Sequence, residues 1–192
     1  LSWRLRGYGP ADESPLGPVL AELATDRSDA SGTSYWSPAT GDYDRELLVA
    51  SLGHDAVLPR IVGPGEAMGE TAAQEGIPAG VLVGAGAGDN AAAALGLGAR
   101  AGDVVVSIGT SGTVFAVTDA PVADETGTVA GFADASGVYL PLVATLNAAR
   151  VLDSVSALLG VDHAGLGELA LAAEPGSNGL VLQPYFEGER TP

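Results

Sequence analysis

Apolar positions along the chain come in short blocks broken by Gly, Pro, Ser and Asp. That texture predicts many short strands and helices rather than a few long ones. Residues 1–24 are spotted with Pro and Gly, and 16–23 predict one short helix. Residues 25–33 (Thr-Asp-Arg-Ser-Asp-Ala-Ser-Gly-Thr) are dense in side chains that bond to local backbone, which predicts a loop with a helix cap. Residues 44–52 predict a short amphipathic helix, 60–65 a turn-rich connection and 66–75 another short helix.

The centre is more regular. Residues 81–83 predict a short buried strand that runs into Gly84-Ala85-Gly86-Ala87-Gly88-Asp89-Asn90. An Ala-rich helix follows over 91–97, closed by Gly98. Two apolar strands, 104–108 and 113–117, are joined by Gly109-Thr110-Ser111-Gly112, and 138–143 predict a third strand. Residues 147–159 predict a helix ending at Gly160, with Val151, Val155, Leu158 and Leu159 on one face. A further helix over 164–173 and a strand over 180–182 complete the reading. Strands and helices alternate before the centre and hairpins follow it, so the expected class is α/β with mixed sheets and a domain seam at 98–102.

Composition narrows the chemistry. Among 192 residues there are 24 acidic and 8 basic side chains, a formal charge of -16. That balance argues against nucleic acid and anionic membranes as partners, though a local nest of N–H groups still binds a phosphate. There is no cysteine, which removes disulfides, thiolate metal sites and thiol catalysis. All basic residues are Arg, so a Lys-dependent P-loop and Schiff-base chemistry are excluded. The apolar stretch 76–88 carries five glycines and a proline and predicts no membrane helix. With no signal peptide, a first residue that is not Met and an end just after a turn, the expectation is a fragment of a longer cytoplasmic protein.

Asp89 is the only charged residue between Gly76 and Ala99, and it opens a helix after a strand and a glycine run. Ligands in α/β folds bind beyond the carboxyl ends of strands. Asp89 therefore reads either as a general base or as a helix N-cap. Gly109, Thr110, Ser111 and Gly112 read either as a phosphate cradle or as an ordinary hairpin turn. Asp26 and Asp29 read as a carboxylate pair for a metal or sugar, or as helix caps. His54 and His163 read as surface residues, Trp3 and Trp36 as a sugar platform or as core, and residues 187–190 as a solvated turn.

Four segments together resemble the FGGY carbohydrate kinases, and within them the branch acting on xylulose: 25–33, then 86–92 (Gly-Ala-Gly-Asp-Asn-Ala-Ala), then 107–112 (Ser-Ile-Gly-Thr-Ser-Gly), then 184–192 (Pro-Tyr-Phe-Glu-Gly-Glu-Arg-Thr-Pro). The resemblance implies two ribonuclease-H-like, actin-type ATPase domains closing on a cleft, with residues 1–99 ending the first, sugar-binding domain and 100–192 starting the second, nucleotide-binding one. It implies phosphorylation of a pentulose, D-xylulose first, by ATP with Mg²⁺; another sugar or polyol (ribulose, glycerol, gluconate) and a non-catalytic actin-like module are the alternatives. By the same resemblance Asp89 matches the catalytic base, Asn90 lies near the sugar, and Gly109 and Thr110, with Ser111 and Gly112, match a phosphate-binding turn. Sugar and ATP are the implied partners, and the family admits a homodimer. Its Asp-Gly-Thr phosphate loop, which helps place Mg²⁺, and its adenosine-binding turn would lie outside residues 1–192. The chain alone is therefore expected to be inactive.

Overall fold

The computed structural model describes residues 1–186, 188 and 189. Its elements are α1 (Ser2–Leu5), β1 (Ala24–Asp26), α2 (Arg27–Ser31), α3 (Arg45–Leu52), β2 (Arg60–Val62), β3 (Ala67–Glu70), β4 (Leu82–Gly84), α4 (Asp89–Leu97), β5 (Val104–Ile108), β6 (Gly112–Ala116), β7 (Leu142–Thr145), α5 (Ala149–Leu159) and α6 (His163–Ala172), with 3₁₀ turns at Leu20–Glu22 and Ser177–Gly179. β1 runs parallel to β2, β3 pairs antiparallel with β4, and β5–β6–β7 form an antiparallel meander. The mixture of small sheets and helices is the expected α/β class.

Local chemistry sets the helix ends. Asp44 Oδ1 accepts hydrogen bonds from Glu46 and Leu47 N–H, both 2.9 Å, and starts α3. α4 is mostly Ala, the strongest helix former, and ends where Gly98 adopts a left-handed φ of 65°. The larger core gathers Phe115, Val117, Leu140 and Leu142 with Ala91 and Ala94 of α4. The two alanines turn α4 toward this core, and Asn90 in its first turn bonds Thr113 of β6. The opposite face of the meander is bare: Val104, Val106, Ile108 and Val114 are all exposed.

A smaller core joins distant parts of the chain, with Trp36 and Ala30 packed against Ala133. Ser31 Oγ accepts from Ala133 N–H at 2.9 Å. Arg27 donates to Val138 O at 3.5 Å and stands over the Tyr139 ring at 5.8 Å. Burial pushes the neighbouring Tyr43 hydroxyl up to about 12, with the charge on Asp29 and the ring of Tyr35 adding to it.

Several expectations need correction. The helix expected over 66–75 is instead β3: Gly69 takes a φ of 144°, outside the helical region, at a bulge against β4. The turn-rich 60–65 contains β2, whose polar groups are satisfied by β1. The 16–23 helix shrinks to one 3₁₀ turn after Pro18. The third strand starts later than 138 because Pro141 has no N–H to pair, although Tyr139 bridges Thr118. No strand forms over 180–182, where Leu180 and Val181 are exposed and unpaired with any described strand. Of the face expected on α5, Val151 and Val155 are half-buried, while Leu158 is 82% and Leu159 52% exposed. The 25–33 segment has its expected cap but folds as β1 and α2.

Phe115 fills the larger core and is 1% exposed. Phe115→Ala is expected to destabilise the protein by about 3–5 kcal/mol, read as a lower denaturation midpoint.

Candidate functional site

β4 ends at Gly84, and residues 85–88 carry the chain from the strand to α4. Ala85 N–H donates to Glu66 O at 3.1 Å. At Gly86 a Cβ would sit 3.0 Å from Asp26 Oδ2, so a side chain there would press on that carboxylate. Gly88 N–H donates to Ser28 Oγ at 2.8 Å, and Ser28 Oγ–H donates in turn to Asp26 Oδ1. Asp26 Oδ1 also accepts from Ser28 N–H at 2.9 Å and Asp29 N–H at 3.1 Å, which makes Asp26 the N-cap of α2. The first and second motifs of the sequence are therefore joined by one chain of hydrogen bonds.

Gly88 is the N-cap of α4, and Asp89 is the first helical residue. The reading of Asp89 as an N-cap is thus corrected. Among the described residues its Oδ1 accepts only the neighbouring Asn90 N–H, at 2.8 Å, and the residue is exposed. Asn90 is half-buried, and its Oδ1 accepts from Thr113 Oγ–H at 3.3 Å. That bond ties the first turn of α4 to β6, just after the Gly109–Gly112 turn. The second motif is thereby linked to the third.

The turn itself is exposed at Gly109, Thr110 and Ser111. Gly109 N–H donates to Ser111 O at 2.9 Å, while Ala149 and Ala148 N–H donate to Gly109 O at 2.9 Å and Thr110 O at 3.3 Å. The carbonyls of the turn are therefore engaged by the start of α5. The N–H groups and hydroxyls of Thr110 and Ser111 make no hydrogen bond among the described residues. Unengaged N–H groups on a turn with no charged side chain of its own suit an anionic ligand such as phosphate. Immediately beside them, Asn147 Nδ2 donates to Gly188 O at 2.6 Å and Glu189 Oε2 at 3.0 Å, and Leu146 N–H donates to Glu189 Oε1. The fourth motif thus meets the third, while its Glu187, Arg190, Thr191 and Pro192 lie outside the described residues.

Other candidates resolve differently. Asp29 accepts from Thr25 Oγ–H at 2.6 Å and does not pair with Asp26. Trp36 is core, and Trp3 stacks on Tyr8 while donating to Val19 O at 3.1 Å. His54 and His163 are exposed, with His163 Nε2 at 3.0 Å from Asp153. Among the described residues no group of three or more His, Cys, Asp or Glu could hold a metal, and no single helix is long and apolar enough to cross a membrane. Sequence reasoning passed over Ser28, Thr113 and Asn147. The local signal at Ser28 was only its place in a capping run, and Thr113 looked like any strand residue.

Residues 3–96 match the family model described as the N-terminal domain of the FGGY family of carbohydrate kinases. The chain is 54% identical over 177 residues to a xylulose kinase of Streptomyces rubiginosus, covering 91% of this chain and 35% of that protein. Among solved structures, a xylulose kinase from Bifidobacterium adolescentis is 45% identical with a TM-score of 0.83, over 98% of this chain and 40% of the other. A gluconate kinase from Lactobacillus acidophilus is 25% identical with a TM-score of 0.76, over 90% of this chain and 38% of the other. The chain thus spans about a third of the length of the curated relative and has the ribonuclease-H-like, actin-type fold of these kinases in part.

The two glycines of the turn have different jobs. A Cβ on Gly112 would lie 3.0 Å from Thr145 Oγ1 and 3.2 Å from Ala148 Cβ, whereas one on Gly109 meets only Ser111 O at 3.5 Å. Gly112→Ala is expected to destabilise by about 1–3 kcal/mol, and Gly109→Ala to stay within about 0.5 kcal/mol. Urea denaturation of the two variants side by side checks this.

Proposed function

Because the chain belongs to the FGGY family of carbohydrate kinases, we propose that it forms the middle of a longer cytoplasmic enzyme that phosphorylates a pentulose with ATP, D-xylulose first. Residues 1–99 supply part of the sugar-binding domain and 100–192 part of the nucleotide-binding domain. The observation that supports this best is a juxtaposition: an exposed carboxylate, Asp89, stands on a helix whose next residue is hydrogen-bonded to the strand leaving an uncharged turn whose Thr110 and Ser111 N–H groups have no partner among the described residues.

In this reading Asp89 accepts the proton of the sugar hydroxyl as that oxygen attacks the γ-phosphorus, and the bond from phosphorus to the β–γ bridging oxygen breaks to release ADP. Asn90 borders the sugar. The Thr110 and Ser111 N–H groups, with Gly109 and Gly112 giving close approach, hold phosphate oxygens. Phosphoryl transfer asks mainly for positioning and charge stabilisation, and a carboxylate paired with a neutral N–H turn suits that demand. The described residues offer no carboxylate cluster for Mg²⁺, so no step is assigned to the metal.

In the full-length enzyme, Asp89→Asn is expected to lower kcat by about 10²-fold or more, with the melting temperature and ATP binding little changed. Turnover near normal in that variant would remove Asp89 from the chemistry. Across xylulose, ribulose, glycerol and gluconate, coupled ADP release is expected to favour D-xylulose. A preference for gluconate would move the assignment toward the gluconate kinase likeness.

A further inference from the structure

We infer that Ser28 is a positioning residue for the Asp89 carboxylate, acting through the backbone of Gly88; the inference rests on Asp89 being the base. The loop before Asp89 has few restraints. Among the described residues, Ala85 N–H is held by Glu66 O, Gly86 and Ala87 N–H make no hydrogen bond, and the next fixed donor is Gly88 N–H on Ser28 Oγ. Gly88 as N-cap has no side chain with which to hold the helix start, so the tether adds, on the loop side of Asp89, to what the Asn90–Thr113 bond and the buried Ala91 fix on the helix side.

The tether is directional. Ser28 Oγ–H is committed to Asp26 Oδ1, so only the oxygen lone pairs of Ser28 remain for Gly88. Asp26 in turn is fixed by two backbone N–H groups of α2. Ser28 is 3% and Asp26 8% exposed, so water does not readily replace either bond. A buried carboxylate thus orients a hydroxyl, the hydroxyl orients a backbone N–H, and Asp89 is the residue after it. Ser28 and Asp89 also border one cavity of about 30 Å³, together with Asn90, Phe132 and Leu140.

The test is a double-mutant cycle in the full-length kinase, with Ser28→Ala, Ser28→Thr, Asp89→Asn and the pair Ser28→Ala with Asp89→Asn. Ser28→Ala is expected to lower kcat by about 10- to 100-fold while KM for sugar and for ATP holds. Ser28→Thr, which keeps the hydroxyl, is expected to restore most of the turnover. With Asp89→Asn already in place, Ser28→Ala is expected to cost no more than about twofold further, because its effect runs through that carboxylate. Normal turnover in Ser28→Ala, no rescue by Ser28→Thr, or a full multiplicative loss in the pair would each overturn the inference while leaving Asp89 as base. Normal turnover in Asp89→Asn would overturn the base reading itself, and the inference with it.

Discussion

The hydrogen bond from Gly88 N–H to Ser28 Oγ is the constraint that holds the glycine loop of the candidate site to the rest of the fold. A glycine-rich loop is free to approach a ligand because it lacks side chains, and for the same reason it cannot hold its own shape. Here the missing order comes from outside the loop, from the buried Asp26–Ser28 pair. The loop keeps an open surface, and its last residue before the carboxylate is still fixed.

From that point the remaining contacts form a sequence of links. Asn90 reaches Thr113, the turn after β5 is held by the start of α5, and the loop before α5 is held by Gly188 and Glu189. The motifs spread over the chain are linked in series by polar bonds, the last link passing through Asn147 and the start of α5. The alanines under α4 make this geometry reachable, since a bulkier face would lift the helix away from β6.

Much of this was legible in the sequence, and the rest was hidden for definable reasons. α3, with its Asp44 cap and Gly53 stop, and α4, with its alanines and Gly98 stop, were read closely because their signals are local. The isolation of Asp89 in a neutral stretch marked it without any structure. β3 was misread because Glu66–Glu75 carries helix-forming residues, while its strand pairing with β4 is not local. Ser28 was missed for a related reason: its partner lies 60 residues away, and no spacing rule connects them.

The separations in sequence also set an order of assembly. The β5–β6 hairpin closes over a few residues, whereas Gly88 reaches Ser28 across 60 and Ala133 reaches Ser31 across 102. Closing longer loops costs more chain entropy, and contacts of that kind form late. The hairpin with α4 is thus able to form before the segment that steadies the loop arrives. The contact that steadies the candidate loop is therefore one the chain closes at a greater entropic cost than the hairpin beside it.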